Sequence, residues 1–152
     1  MKHVTKSVLL WYSAPQMYRL VTDVEDYPRF LPWCEKAEVV SRDDGGVTAQ
    51  LHLAYAGVRH AFTTRNEHDP DRAVRIELVD GPFSQLDGHW QFIPLAKPGA
   101  GASDGSQACK IEFEMRYAFS SRPLELLVGP VFDKIANTFV DAFVQRAGQV
   151  YG

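Results

Sequence analysis

The chain has 152 residues, 45% of them hydrophobic and 23% charged, with a formal net charge of -3 and a pI near 5.9. That size and balance suit an ordinary globular protein of one domain, residues 1–152, around one core, and the elements below make it α+β. The acidic balance argues against a dedicated nucleic-acid binder, whose affinity rests on surplus Lys and Arg facing phosphates, and no DNA partner is expected.

Residues 2–12 alternate loosely and carry Val4, Val8, Leu9, Leu10 and Trp11, which predicts a first strand. Nothing ahead of them has the apolar stretch of a signal peptide, and no run of about 18 apolar residues occurs anywhere. Cytoplasmic residence is the default expectation. Ser13 and Gln16 stand at capping-box spacing with Pro15 in the first turn, so a short helix starts there and ends near Asp23. Pro28 and Pro32 then leave room for one helical turn between them. That segment is crowded with Tyr27, Phe30, Leu31 and Trp33, which predicts a flap over a cavity, an apolar patch for peripheral contact with the inner membrane, or a loop packed on a sheet edge.

Six more strands follow, at about 35–42, 46–55, 58–68, 73–80, 86–95 and 107–119, punctuated by Asp43-Asp44-Gly45-Gly46, Ala56-Gly57, Asp69-Pro70-Asp71 and Gly81-Pro82. Short connections make the neighbours antiparallel. Alternation gives each strand one apolar face: Leu51, Leu53 and Tyr55; Val74, Ile76 and Leu78; Leu86, Trp90 and Phe92; Ile111, Phe113, Met115, Tyr117 and Phe119. A sheet with one dry face needs a cover. Residues 122–151 supply it, with Leu124, Leu127, Val128, Val131, Ile135, Phe139, Ala142, Phe143 and Val150 at helical spacing. Such a helix is ~45 Å long, so the sheet must curve round it. Gly129-Pro130 predicts a bend or break in its first third. Residues 97–106 form a small-residue loop that is expected to be mobile.

A bent sheet gripping one helix encloses space, and Trp90, Phe92, Phe113, Phe119, Phe132 and Phe139 point to it. Val131, Phe132, Ile135 and Phe139 lie near the middle of the helix and are the candidate ligand contacts there. Phe30, Leu31 and Trp33 are candidates from the Pro-broken segment. The same rings also suit a plain filled core.

The run Asp23-Val24-Glu25-Asp26-Tyr27-Pro28-Arg29-Phe30-Leu31-Pro32-Trp33-Cys34, then Phe62-Thr63-Thr64-Arg65-Asn66, Val79-Asp80-Gly81-Pro82-Phe83 and His89-Trp90-Gln91-Phe92, resembles the coenzyme-Q-binding START-like family of the polyketide cyclase superfamily. The resemblance covers nearly the whole chain. It implies a helix-grip fold, a curved seven-stranded antiparallel sheet around the C-terminal helix with two short helices after the first strand. It implies a hydrophobic tunnel to which Phe62 and Phe83 contribute, and ubiquinone or a related isoprenoid lipid as the bound molecule, with no required cofactor. Family members also include ribosome-association toxins that bind the large ribosomal subunit and block subunit joining. Arg59, Arg65, Arg72 and Arg75 are the candidate contacts for that role.

Other motifs carry less. His52, His60 and His68 recur every eight residues, but zinc needs three or four converging ligands, and a two-residue turn at Ala56-Gly57 sets His60 opposite Leu53 with His52 on the other face. No metal site is expected. Gly99 and Gly101 begin a phosphate-loop pattern that no helix follows. Cys34 and Cys109 are expected to be free thiols. Asp80 is a candidate general acid for a cyclase-like enzyme, against the plainer role of a turn residue before Gly81-Pro82. Without a nucleophile or metalloenzyme motif, a catalyst is the lesser expectation.

Overall fold

β1 (Lys2–Leu10), β2 (Cys34–Asp43), β3 (Gly46–Tyr55), β4 (Val58–Asp69), β5 (Ala73–Asp80), β6 (Phe83–Leu95) and β7 (Ala108–Phe119) form one curved antiparallel sheet. Their spatial order is β1-β7-β6-β5-β4-β3-β2. The structure is a computed structural model and describes residues 1–95 and 108–152. The loop expected at 97–106 lies outside those residues. The predicted strands 46–55 and 73–80 are reproduced, and 58–68 gains one residue. β6 begins at Phe83, ahead of the predicted 86, because a bulge separates Phe83 from Gln85. The extra residue reverses the alternation, so Phe83 and Leu86 are both buried although one is odd and the other even.

Local chemistry sets the turns. Ala56 and Gly57 both have positive φ, 52° and 81°, the geometry of a tight two-residue hairpin. The resulting register pairs Leu53 with His60 and His52 with Ala61, as the turn length requires. Gly46 is obligatory on steric grounds: a Cβ there would stand 2.0 Å from the Asn66 carbonyl oxygen on β4.

Helix α1 (Ala14–Thr22) starts on the expected capping box. Ser13 Oγ accepts from the Gln16 N–H at 3.2 Å, and Gln16 Oε1 accepts from the Ser13 N–H at 2.9 Å. Its inner face is Ala14, Met17 and Val21. A 3-10 helix, Val24–Arg29, follows and contains Pro28. The helical turn therefore precedes Pro32 and encloses Pro28 instead of fitting between the prolines. Its i to i+3 bonds run from the Asp26 N–H to Asp23 and from the Phe30 N–H to Tyr27, so none needs a donor from Pro28. Tyr27, Leu31 and Trp33 are buried and Phe30 is half-buried, so this segment packs on the core and is no exposed apolar patch.

Helix α2 (Arg122–Tyr151) runs 30 residues without interruption, capped by Ser121 Oγ accepting from the Leu124 N–H at 3.3 Å. Of the bend or break expected at Pro130, a break does not occur. Pro130 and Leu126 are exposed, so the carbonyl freed four residues before the proline lies on the solvent side, where water can satisfy it. The buried stripe is Val128, Phe132, Ile135, Ala136, Phe139, Val140, Phe143 and Ala147. Leu127 and Val150, expected on it, are 58% and 49% exposed: Leu127 sits well round the helix from that stripe, whereas Val150 keeps its spacing but lies in the last turn, beyond the last buried residue, Ala147. No helix among the described residues is long and apolar enough to cross a membrane.

Candidate functional site

The register of the sheet lays its inner face out in rows. Asn66 of β4 pairs with Ile76 of β5, Ile76 with Gly88 of β6, Gly88 with Met115 of β7, and Met115 with Val4 of β1. Directly opposed residues share a face, so this row crosses five strands under α2. Gly88 leaves its centre without a side chain. Above the row an apolar cavity of about 50 Å³ remains. Ile76, Leu86 and Met115 line it from the sheet, Phe132, Ile135 and Phe139 from α2, and Leu51 and Phe62 from β3 and β4. Tyr27 and Trp33, from the connection between α1 and β2, complete the apolar lining.

Two polar side chains also reach the cavity. Thr64 and Asn66 lie on β4 two and four residues beyond Phe62, and are 4% and 8% exposed. Thr64 Oγ1 donates to Asn66 Oδ1 at 2.8 Å. Alternation along β4 puts 62, 64 and 66 on one face, and that parity was the signal by which the sequence could have named them. Leu51, Ile76, Leu86 and Met115 were readable the same way, as apolar positions of the inner face, but nothing in the sequence placed them beside Gly88.

Of the residues named from sequence, Trp33, Phe62, Phe132, Ile135 and Phe139 meet at the cavity. The others surround it in two aromatic groups. Phe83 stands against Phe132 at 4.8 Å between ring centroids and against Phe119 at 5.2 Å. Trp90 packs on Phe113 at 4.6 Å and on Phe143 at 5.2 Å, with Phe92 stacked at 6.0 Å. Leu31 is buried in the same core, and Val131 is half-buried at its margin. Phe30 lies 5.1 Å from Phe143, with the Arg146 guanidinium 5.4 Å above its ring.

Among the described residues, Tyr27 is the one titratable side chain lining the cavity. Its hydroxyl donates to the Val21 carbonyl, and burial, with Cys34 and Asp23 adding to it, pushes the phenol far above its usual range. Cys34 and Cys109 are free and buried; burial raises their thiols to about 12 and about 11. Asp80 is exposed at the end of β5, away from the cavity lining. Among the described residues no cluster of His, Cys, Asp and Glu could hold a metal ion. Arg59 pairs with Glu35 at 3.4 Å and Arg65 with Asp43 at 2.8 Å, whereas Arg72 and Arg75 are exposed and make no ion pair among the described residues.

Residues 10–144 match the family described as polyketide cyclase / dehydrase and lipid transport. The chain is 39% identical over 151 residues to the ribosome association toxin RatA of Escherichia coli strain K12, which spans 99% of this chain and 90% of that protein. It is 31% identical over 149 residues to the mitochondrial coenzyme Q-binding protein COQ10 homolog B of Xenopus laevis, spanning 97% of this chain and 59% of the relative. A START superfamily protein from Mycobacterium smegmatis superposes with a TM-score of 0.74 at 17% identity, over 97% of this chain and 98% of that one, a likeness of fold. The chain belongs to the polyketide cyclase / dehydrase and lipid-transport family.

Proposed function

We propose that this protein binds a hydrophobic small molecule between α2 and the sheet, with ubiquinone or a related isoprenoid lipid as cargo, and that it acts as a carrier or chaperone supporting respiration rather than as an enzyme. The observation that carries this reading is the make-up of the cavity. Acid–base or nucleophilic catalysis needs a titratable group within reach of the reacting atom. Tyr27 alone of the lining residues titrates, and its hydroxyl is already bound to Val21. The relatives named for coenzyme Q binding supply the class of cargo. Affinity would come from apolar burial, at about 25 cal/mol per Å².

A drug-sized ligand needs roughly 300–1,000 Å³, and the cavity holds about 50 Å³. The closed form therefore has to part before cargo enters. Tyr27 and Trp33 belong to the connection between α1 and β2 and form the candidate gate, with Trp33 hinged on β3 through its carbonyl, which accepts from the Ala54 N–H at 2.8 Å. Native mass spectrometry of gently purified protein, with organic extraction, tests the reading. Near-stoichiometric quinone or lipid is expected. Protein that arrives empty and also fails to bind added short-tailed ubiquinone would overturn it.

A second reading is favoured by the 39% identity to RatA: association with the large ribosomal subunit. Arg72 and Arg75 are the better candidates for it, since Arg59 and Arg65 already face carboxylates. Co-sedimentation with the large subunit should then fall steeply with salt and vanish in the Arg72→Glu, Arg75→Glu variant. Retention by that variant would remove these residues from the contact.

A further inference from the structure

We infer that Thr64 and Asn66 form a polar receptor within the apolar cavity and select cargo that carries a hydrogen-bond-accepting oxygen, such as a quinone carbonyl, over cargo that is pure hydrocarbon. The inference rests on the carrier reading and names the chemistry that the site discriminates.

Three observations build it. Both residues sit on the inner face of β4, under α2, where every neighbouring lining side chain is apolar or aromatic apart from Tyr27. Both are more than nine-tenths buried. Thr64 Oγ1 donates its one proton to Asn66 Oδ1, which fixes the amide and turns its Nδ2 to the remaining side. No acceptor among the described residues receives a hydrogen bond from that Nδ2.

An amide in an apolar interior is costly unless both its ends are paired, and buried polar side chains are almost always satisfied. A protein that only had to fill this space would place Val and Leu, isosteres of Thr and Asn, at 64 and 66. The backbone cannot complete the amide, because the N–H and C=O groups of β4 are taken up by β3 and β5. No residue among those described supplies the partner, and Nδ2, which is not one of the sealed unpaired atoms of the interior, is open to a molecule that enters the cavity. At about 50 Å³ the cavity admits one or two waters in the closed form. A ligand oxygen arriving at the same point replaces that water and keeps its hydrogen bond, whereas a hydrocarbon displaces it and leaves the amide bare. The discrimination is thus built into the empty protein, and it is largest for ligands whose oxygen sits at the end that enters first.

Asn66 is also held in place with unusual firmness. It pairs with Val47 on β3, and the neighbouring Gly46 approaches its backbone carbonyl so closely that no side chain fits there. On its other flank it pairs with Ile76, whose neighbour across the sheet is Gly88. The amide is therefore presented from a central strand of the sheet and not from a mobile loop, as a selective hydrogen bond requires.

The test uses the full chain and two probes, a short-tailed benzoquinone and a hydrocarbon isoprenoid of equal chain length, in calorimetric or fluorescence titrations. The variants are Asn66→Leu and Thr64→Val, each replacing a polar group by an apolar one of the same shape. Thermal unfolding checks them first: Asn66→Leu is expected to melt at or above the parent temperature, since a half-paired amide has been removed, whereas Thr64→Val leaves the amide oxygen without its donor and is expected to melt somewhat lower. Quinone binding should weaken tenfold or more in Asn66→Leu and by less in Thr64→Val, while the hydrocarbon binds as tightly as before or more tightly. Parallel losses for both probes, or no loss for either, would overturn the receptor and leave the carrier reading standing. If the parent protein binds neither probe, the carrier reading falls and the receptor falls with it. A marked drop in melting temperature in Asn66→Leu would also overturn it, by showing that the amide serves the fold.

Discussion

Trp33, at the entrance to β2, and Phe139, of α2, stand 6.2 Å apart between ring centroids, and both line the cavity. One comes from the connection that crosses from β1 to β2, the other from the helix that covers the sheet. Their contact packs the connection onto the helix by apolar area and ring packing, while the Trp33 carbonyl accepts from the Ala54 N–H of β3 at 2.8 Å and ties the same segment to the sheet.

Phe139 also touches Trp90, Phe113 and Phe143 at 5.7, 5.8 and 5.1 Å. Phe139→Ala should therefore cost about 3–5 kcal/mol in urea unfolding, as for other large rings truncated in packed cores. A loss below about 1 kcal/mol would show that the ring lines permanent open space. Quinone affinity should fall as well.

Filling the cavity should separate binding from folding. Leu86 lines it at 4% exposure. Leu86→Phe extends a ring into the void, and cavity-filling changes of this kind commonly add about 0.5–2 kcal/mol. An unchanged or higher melting temperature with loss of cargo binding is expected. Full retention of binding would place the cargo elsewhere.

The buried thiols give a pH dependence with a definite sign. Cys34 and Cys109 titrate near 12 and 11 in the folded chain because burial disfavours the thiolate, against about 8.5 in an unfolded one. Their contribution to stability is complete below the unfolded value and is lost as pH rises toward the folded ones. The buried phenols of Tyr27 and Tyr117 are raised in the same direction. The urea midpoint should fall from about pH 9 upward, and neither cysteine should react with a thiol reagent at pH 8 until the protein unfolds. Rapid labelling of the native protein would contradict this.

Gly46→Ala should be severe for so small a change. Its Cβ would meet the Asn66 carbonyl at 2.0 Å, and the contact is backbone, which cannot swing aside. A loss of at least about 1–3 kcal/mol is expected, by analogy with overpacked cores. Amide exchange should show it centred on the β3–β4 ladder. Uniform exchange across the sheet would argue against a local clash.

Most of the architecture could be read from period and punctuation. The capping box at Ser13 and the hairpin at Ala56-Gly57 carry their geometry in adjacent residues, and the strands alternate cleanly. Legibility ends where the third dimension sets the answer. The bulge after Phe83 shifts parity and leaves no mark in composition. The solvent-side exposure of Leu126 and Pro130 decides that α2 continues, and spacing cannot state which side a proline faces until the core stripe is fixed. Trp90, Phe92 and Phe113 were as eligible for the cavity as Trp33 and Phe139. What separates them is the row through Gly88, which depends on four strand registers at once. Thr64 and Asn66 share the parity of Phe62 and so are legible as polar residues on an apolar face.

The pairing of β1 with β7 sets a condition on how this chain is made. Leu10 finds Cys109, and Lys2 finds Tyr117, only after every other strand has been synthesised. Contacts so distant in sequence slow folding, because the loop must close before any hydrogen bond rewards it. On the ribosome, β1 emerges first and waits longest, with Val4, Val8 and Leu10 uncovered. Of these elements β1 is thus the longest exposed to holding factors and to misassociation, and α2, which follows all seven strands, completes the sheet's cover in a single late step.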